Sequence, residues 1–406
     1  MDNKNNKVKL KREISLSLLV LYGLGNIIGA GIYALIGEIS GISGYFIPIS
    51  FLLACIIVLF TALSYAELSS RYPLSAGVAI YIDKAFNNKK LTTFMGLLVA
   101  LNGMLFAATI VHGFNGYISV LVGIPEYISS FLILLTLSSI AIWGISQSVK
   151  IAAFLTILES LGLLLIIFVG IDYLPKTDVV LRDFLPSFEF SVYNAIILGA
   201  FLAFFAFTGF EDIVTISEEV KDPSRIVPKA IIISLIIATI IYILITFFSI
   251  IIVEPQILAK SSAPLDVVYK TASNSESNIL GTIGTLAMIN GALIQIIMVS
   301  RIFFGMSKEG WLPSFFNKLD KSTHTPVIAT IIVTIIVYIS TTWLPLLTLA
   351  ELTSFVIFII FSIVNFALIK IKLSSDKIEN IFTIPIWVPA VGIVLNIFMM
   401  IIYLLN

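Results

Sequence analysis

Long apolar runs alternate with short polar breaks along the whole chain. A membrane core of about 30 Å takes about 20 apolar residues per helix, and the sequence offers that length repeatedly. Backbone groups in lipid must pair within their own segment, and no alternating ten-residue pattern suggests a barrel, so we expect helices. We predict eleven spans, near 15–36, 42–68, 91–120, 125–146, 149–174, 191–217, 229–253, 279–305, 326–345, 347–371 and 384–404.

Composition supports one membrane-embedded domain. Of the 406 residues, 59% are hydrophobic and 12% are charged, which lies outside the range of soluble domains. The longest polar stretch, of about 20 residues, leaves no room for a separate nucleotide-binding domain. A formal net charge of zero argues against nucleic acid as a partner. We therefore expect an N-terminal tail at 1–12, a ten-helix core at 13–372, and a loop with an eleventh helix at 373–406.

The placement of basic residues predicts the orientation, because loops rich in Lys and Arg stay in the cytoplasm. With a cytoplasmic N-terminus, 20 of the 24 Lys and Arg residues fall in cytoplasmic segments. The outer loops keep only Lys176, Arg182, Lys260 and Lys270. We expect a multi-pass protein of the cell membrane whose N-terminus is cytoplasmic.

Two spans contain residues that can interrupt a helix in mid-membrane. The first span holds four glycines between Gly23 and Gly31, and the sixth holds Thr208-Gly209 within an aromatic run. Glycine costs about 1 kcal/mol relative to alanine inside a helix, so both segments are easy to unwind. Tight helix packing is the alternative for the first span, since Gly25-x-x-x-Gly29 is also a small-residue packing pattern.

Paired interruptions in two halves of a chain are typical of transporters. The first and sixth spans each begin a group of five and start on opposite sides, which predicts inverted repeats with a binding site near the bilayer midplane. Backbone amides released at the break in the first span would bind a carboxylate group. Backbone carbonyl groups released at the break in the sixth span would bind an ammonium group. The predicted ligand is therefore a zwitterion.

Three stretches resemble the amino acid–polyamine–organocation transporter family, whose fold is the five-plus-five inverted repeat of the LeuT type. They are Gly25–Tyr33 in the first span, Phe204–Pro228 with the letters FFAFTGFEDIVTISEEVKDPSRIVP, and Ser300–Pro313 followed by Thr325-Pro326. The resemblance spans residues 12 to 372. It implies an all-α membrane protein with discontinuous helices 1 and 6. Members usually have twelve spans, whereas we count eleven, and we leave the oligomeric state open.

The resemblance also implies a substrate site. The amides around Gly29, Ala30 and Gly31 would receive the carboxylate of an amino acid. Phe205 matches the position of an aromatic gate over the substrate. The full set of expected substrate-binding residues is Ile27, Ile28, Gly29, Ala30, Gly31, Phe205, Ala206, Thr208 and Gly209.

Two carboxylates inside the spans are candidates for ion or proton coupling, because a charge costs at least about 2.5 kcal/mol in the membrane. Glu159 lies about ten residues into the fifth span, and Glu211 directly follows the sixth-span break. Asp212 points away from Glu211 by about 100° on a helix, towards a cytoplasmic vestibule. Either glutamate could instead be a protonated, hydrogen-bonded packing group.

Glu159 departs from relatives that work without sodium, several of which carry a lysine at the position we align with it. A carboxyl group there either exchanges protons or, when ionised, is a ligand for a cation. We favour the proton. The predicted function is proton-coupled symport of amino acids by alternating access, and the apolar sixth-span break favours neutral ones. Amino acid exchange and sodium-coupled symport are the alternatives.

Weaker signals come from other polar residues within the spans. Asn102, Asn290 and Gln295 could line a pathway or bond a neighbouring helix. His112 is more typical of an interface than of a proton relay. The single cysteine, Cys55, has no disulfide partner and is expected to be a small packing residue.

Other classes of protein are less well supported. The string Gly41-Ile42-Ser43-Gly44 fits a GxSG pattern of intramembrane proteases, but four residues recur by chance. A membrane sensor that binds a substrate without transporting it is a further alternative. We expect no enzyme activity, no metal site and no cofactor. The expected partners are a small-molecule amino acid and the lipid bilayer.

Overall fold

The computed structural model describes residues 14–74, 77–143, 145–176, 186, 188–320, 323, 325–374 and 380–406. These residues fold as an all-α membrane protein, and the only β-type contact among them is one isolated bridge between Ile14 and Val220. The predicted tail at 1–12 lies outside the described residues, as do residues 375–379 of the predicted C-terminal loop.

Fourteen α-helices are present in the described part of the chain. They are α1 (Leu16–Ser43), α2 (Ile47–Arg71), α3 (Gly77–Phe86), α4 (Lys89–Leu121), α5 (Glu126–Trp143), α6 (Ile145–Tyr173), α7 (Phe190–Phe207), α8 (Pro223–Ile252), α9 (Pro255–Ala259), α10 (Pro264–Ser273), α11 (Ile279–Lys308), α12 (Val327–Trp343), α13 (Leu346–Ser374) and α14 (Trp387–Leu405). Short 3₁₀ helices connect some of them, including Gly44–Phe46 and Phe210–Glu219.

Nine stretches of the described residues are long and apolar enough to cross a membrane. The first of them, Leu16–Arg71, contains both α1 and α2, and the apolar helix Val327–Trp343 is shorter, with 17 residues. Each of the eleven predicted spans overlaps one long α-helix, and the sixth, 191–217, continues beyond α7 into the 3₁₀ helix Phe210–Glu219. The prediction of a multi-pass helical protein is confirmed, whereas the span count and the inverted repeat stay predictions.

Helix α6 shows how the sequence separates a lipid-facing side from an inner side. Phe154, Leu161 and Phe168 follow helical spacing and are each more than half exposed. Glu159 lies on the other face and is 1% exposed. In a soluble protein the apolar face of a helix is buried and the polar face is exposed. Helix α6 has the opposite arrangement, as expected for a helix that is surrounded by lipid.

The helices that position the site pack in two groups. α1 packs against α7 and α8, and α2 packs against the same pair. α4 packs against α11 and α13, while α6 contacts α1 and α11. We call the end of the bundle at which α1 begins the N-terminal end.

Candidate functional site

Helix α7 stops at Phe207, inside a long apolar stretch. Thr208 is extended, and Gly209 has a φ of +112°, which favours glycine because a side chain would clash with the backbone. The chain then continues as the 3₁₀ helix Phe210–Glu219. The predicted break in the sixth span is confirmed, at Thr208 and Gly209.

Local hydrogen bonds satisfy the backbone groups that the break releases. The Gly209 amide donates to Glu211 Oε2 at 2.8 Å, and the Thr208 hydroxyl donates to the Phe205 carbonyl at 2.6 Å. Unpaired polar groups in apolar surroundings would otherwise cost free energy. The Phe205 carbonyl, which precedes the break, is thus bonded to Thr208 in this conformation.

The break predicted in the first span is wrong, because α1 is one continuous helix from Leu16 to Ser43. The amides of Gly29, Ala30 and Gly31 therefore lie within the helix. A Cβ added at Gly31 would lie 2.3 Å from Ala206 Cα, and one added at Gly25 would lie 2.1 Å from Thr156 Oγ1. The glycines allow neighbouring helices to approach closely, so the packing alternative accounts for them.

Tyr242 of α8 joins α1 to α7 beside the break. Its hydroxyl lies within hydrogen-bonding distance of the Ile27 carbonyl and, at 2.8 Å, of the Ala206 carbonyl. A hydroxyl has one proton, so it donates to one of the two carbonyls at a time. Sequence analysis missed Tyr242, whose only signal is a hydroxyl group within an apolar span.

The predicted substrate-binding residues come together where α1 contacts α7. Those with described side chains are almost fully buried, and the backbone of Ala30 lies in α1 between them. They are Ile27, Ile28, Gly29, Gly31, Phe205, Ala206, Thr208 and Gly209.

Phe205, the predicted gate, is fully buried. Its ring packs on Phe106 of α4 with centroids 4.5 Å apart and an interplanar angle of 36°. We call these two residues the phenylalanine pair. Sequence analysis missed Phe106, because nothing distinguishes it from the other 29 phenylalanines of the chain.

Glu159 faces α1 and α11 from the inner side of α6. Its Oε1 accepts a hydrogen bond from Asn290 Nδ2 at 3.3 Å, and Nδ2 also reaches Thr156 Oγ1 at 3.2 Å. Glu159 Oε2 has no hydrogen-bond partner and lies 3.3 Å from the position of a Cβ on Gly29. Among the described residues no basic side chain forms a salt bridge with Glu159. The predicted burial of Glu159 is confirmed.

A small cavity with a free volume of about 20 Å³ lies on the N-terminal side of the phenylalanine pair. Glu211 and Asp212 both line it, and they accept hydrogen bonds from different partners, the Gly209 amide and the Gln295 side chain. The other lining residues are Tyr65, Val78, Val99, Asn102, Phe106, Thr208, Gly209, Gln295, Met298, Ile357 and Ile360.

Comparison with known proteins identifies the family. The sequence profile of the family described as "Amino acid permease" matches residues 14–406. This chain belongs to the amino acid permease family. The resemblance to the amino acid–polyamine–organocation superfamily is thereby confirmed.

Several curated relatives of the permease are named as transporters. It is 28% identical to the branched-chain amino acid permease BcaP of Bacillus subtilis, over 93% of this chain and 84% of that protein. It is also 28% identical to the methylthioribose transporter of the same organism, over 95% of this chain and 86% of that protein. A vacuolar cationic amino acid transporter of Arabidopsis thaliana is 27% identical, over 85% of this chain and 61% of that protein.

The permease is therefore a membrane protein that transports amino acids, and it is not an enzyme. The GxSG string has a structural explanation in this fold, since Ser43 ends α1. The Ser43 hydroxyl contacts the Ser50 hydroxyl at 2.9 Å and the Ala195 carbonyl at 3.3 Å. These bonds connect α1, α2 and α7 at the end of the bundle opposite the N-terminal end.

Proposed function

We propose that the permease is a proton-coupled symporter that moves neutral amino acids across the membrane by alternating access. The observation that carries the proposal is Glu159, a carboxyl group buried against Gly29 of α1 without a salt bridge among the described residues. An unpaired charge in the membrane costs at least about 2.5 kcal/mol, whereas a protonated carboxyl group is neutral. Binding and release of a proton at Glu159 would therefore change the charge at the contact between α6 and α1.

Sodium-coupled symport is the second candidate, because Glu159 and its partner Asn290 each have a side-chain oxygen without a hydrogen-bond partner. Glu159 Oε2 and Asn290 Oδ1 are both buried without a hydrogen-bond partner, and the Ala287 carbonyl oxygen lies 3.6 Å from the Cβ position of Gly29. We favour the proton because a hard cation takes about six oxygens, and Asn290 turns its amide nitrogen, a donor, towards the carboxylate. Amino acid exchange without ion coupling is the third candidate.

We propose that the substrate binds where α1 contacts the break in α7. Phe106, Phe205 and Ala206 surround the break with apolar groups, which favours a neutral side chain. The carbonyls of Ile27 and Ala206 could receive the ammonium group in place of the Tyr242 hydroxyl. Recognition of the carboxylate by the amides of Gly29–Gly31 stays a prediction, since it needs those amides released from the helix.

The bias in basic residues supports an N-terminus in the cytoplasm and a location in the cell membrane. In that orientation the cavity below the phenylalanine pair lies on the cytoplasmic side. The phenylalanine pair then separates the cavity from the opposite side of the membrane, as a gate in an alternating-access cycle would.

A ligand screen tests the substrate class. Purified permease in detergent is heated with each of the twenty amino acids, and we expect neutral apolar L-amino acids to raise the melting temperature. A ligand at a hundred times its Kd stabilises the native state by about 2.7 kcal/mol. The D-enantiomers are the matched controls. Stabilisation by lysine and arginine alone would show that the neutral assignment is wrong.

Phe205→Ala tests the gate. Because the phenylalanine pair closes the path, we expect substrate uptake to fall by about tenfold while substrate affinity changes by less than about threefold. Phe204→Ala is the matched control, since Phe204 is equally buried but stacks on Phe358, 4.0 Å away between centroids. Equal uptake by both variants would assign gating to another residue.

A further inference from the structure

Four lysines lie at the N-terminal end of the bundle, where α3, α4 and α13 meet. They are Lys84 in α3, Lys89 and Lys90 in the first turn of α4, and Lys370 near the end of α13. Each is exposed, and none forms a salt bridge among the described residues. α3 packs against α4 and α13, which also pack against each other, so the four charges share one side of the bundle. We call them the lysine patch.

The lysine patch has an excess of positive charge. Asp83, next to Lys84 in α3, is partly buried, and α4 has no acidic residue in its first turn. Glu67 of α2 does not offset the charge, because Arg71 and Lys372 already bind both of its carboxylate oxygens. The positive end of the helix dipole also disfavours lysines in a first turn. An anion on this surface would lower the electrostatic free energy.

Aromatic contacts hold one of these lysines in place. Lys370 Nζ lies 4.3 Å from the centroid of the Phe86 ring at the end of α3. Phe86 in turn stacks on Phe366 of α13, with centroids 5.8 Å apart. Lys90 follows Phe86 by four residues, across the two-residue link 87–88 between α3 and α4. Lys90 and Lys370 are thus both positioned by the end of α3.

Apolar side chains continue from the lysine patch along α4. Phe94, Leu97 and Leu101 follow Lys90 at intervals of four, three and four residues, so they form one stripe on the helix. All three are exposed. A cationic group at the end of an apolar stripe matches a phospholipid, which has an anionic phosphate and apolar acyl chains.

We propose that the lysine patch binds the headgroup of an anionic phospholipid, whose acyl chains lie along the stripe of α4. The ammonium groups of Lys90 and Lys370 donate to the phosphate oxygens. Free phosphate would leave the stripe uncovered, and a symmetric contact with a second copy of the chain would bring two lysine patches together. The lipid belongs to the leaflet that contains the N-terminal end of the bundle.

A binding measurement that needs no transport tests the site. The melting temperature of the detergent-purified permease is recorded against dioctanoyl phosphatidylglycerol at constant ionic strength. Dioctanoyl phosphatidylcholine, which has the same chains without net charge, and sodium phosphate, which has the charge without chains, are the matched ligands. We expect a saturable rise with phosphatidylglycerol alone, because only this ligand matches both the lysines and the stripe.

Two double variants locate the binding. Lys90→Gln with Lys370→Gln removes two charges from the lysine patch. Lys308→Gln with Lys318→Gln is the matched control, because it removes two exposed lysines from the same end of the bundle, at and after the end of α11. We expect the first variant to weaken phosphatidylglycerol binding by about tenfold or more, and the control by less than about twofold.

The control lysines lie away from the stripe. A Cβ added at Gly96 would lie 2.7 Å from Met306 Sδ, so α11 packs on a face of α4 different from the one that carries Phe94. No saturable rise in the parent, an equal rise with phosphatidylcholine or with phosphate, or equal affinity in the two double variants would overturn the proposal. Failure of the proton-coupling proposal would leave these results unchanged, because the assay contains no gradient.

Discussion

Replacing Gly31 with alanine is expected to reduce amino acid uptake by more than about tenfold. The added Cβ would lie 2.3 Å from Ala206 Cα and 3.2 Å from Ala206 N. These are backbone atoms, which no change of side-chain rotamer can move away. α1 and α7 would have to separate beside the break, and overpacking of this kind costs about 1–3 kcal/mol.

The measurement pairs uptake into proteoliposomes with the melting temperature, and both should fall for Gly31→Ala. Gly305→Ala is the matched control, because nothing lies within 4 Å of its added Cβ in α11. Alanine is the better helix former, so Gly305→Ala should be neutral or slightly stabilising. Uptake by Gly31→Ala at the parent rate would mean that α1 and α7 do not keep this contact during transport.

Replacing Glu159 with glutamine is expected to abolish uptake against a concentration gradient while exchange of internal for external substrate continues. Glutamine has nearly the shape of glutamate and keeps an oxygen that can accept from Asn290, so the contact with α11 survives. It cannot bind and release a proton, so an inward proton gradient no longer drives accumulation. We expect accumulation to fall by about a hundredfold, to the passive level.

Glu126→Gln is the control for this experiment, since Glu126 is exposed at the start of α5. Exchange is measured with labelled substrate inside the vesicles, and accumulation with a pH step across the membrane. Accumulation by Glu159→Gln at the parent level would remove Glu159 from the coupling mechanism.

The sequence predicts the arrangement of spans well because the signal is physical and repeated. Lipid requires about 20 apolar residues for each crossing, so each predicted span overlaps a long α-helix. The three short helices α3, α9 and α10 were not predicted, since 5 to 10 residues in a loop carry no comparable signal.

The two predicted helix breaks had different outcomes for a local reason. Gly209 takes a positive φ, and Thr208 and Glu211 supply hydrogen bonds to the released backbone groups. The first span keeps its helix although the Tyr242 hydroxyl lies within hydrogen-bonding distance of the Ile27 carbonyl. Its glycines Gly25 and Gly31 instead face Thr156 and Ala206 at close range. Glycine makes a helix easy to unwind and also lets two helices pack closely. Sequence alone therefore could not distinguish a helix break from a packing contact.

The sequence predicted those parts of the candidate site that carry a family motif or a charged residue within a membrane span. Glu159 is conspicuous because few charges occur within spans, and its burial agrees with the prediction. Phe106 and Tyr242 are ordinary residues of apolar helices, and only their contacts with Phe205 and with the carbonyls of Ile27 and Ala206 give them a role. Contacts between distant helices depend on the packing of the whole bundle, which no local pattern encodes.

The central claim, that amino acids move together with protons, is tested most directly by following protons themselves. A pH-sensitive dye is enclosed in proteoliposomes that contain the permease and no sodium, with equal pH on both sides. Addition of the amino acid that stabilises the permease best should acidify the interior, and Glu159→Gln should abolish the acidification. A constant internal pH, together with uptake driven by a sodium gradient and lost in Glu159→Gln, would contradict proton coupling and assign Glu159 to a sodium site.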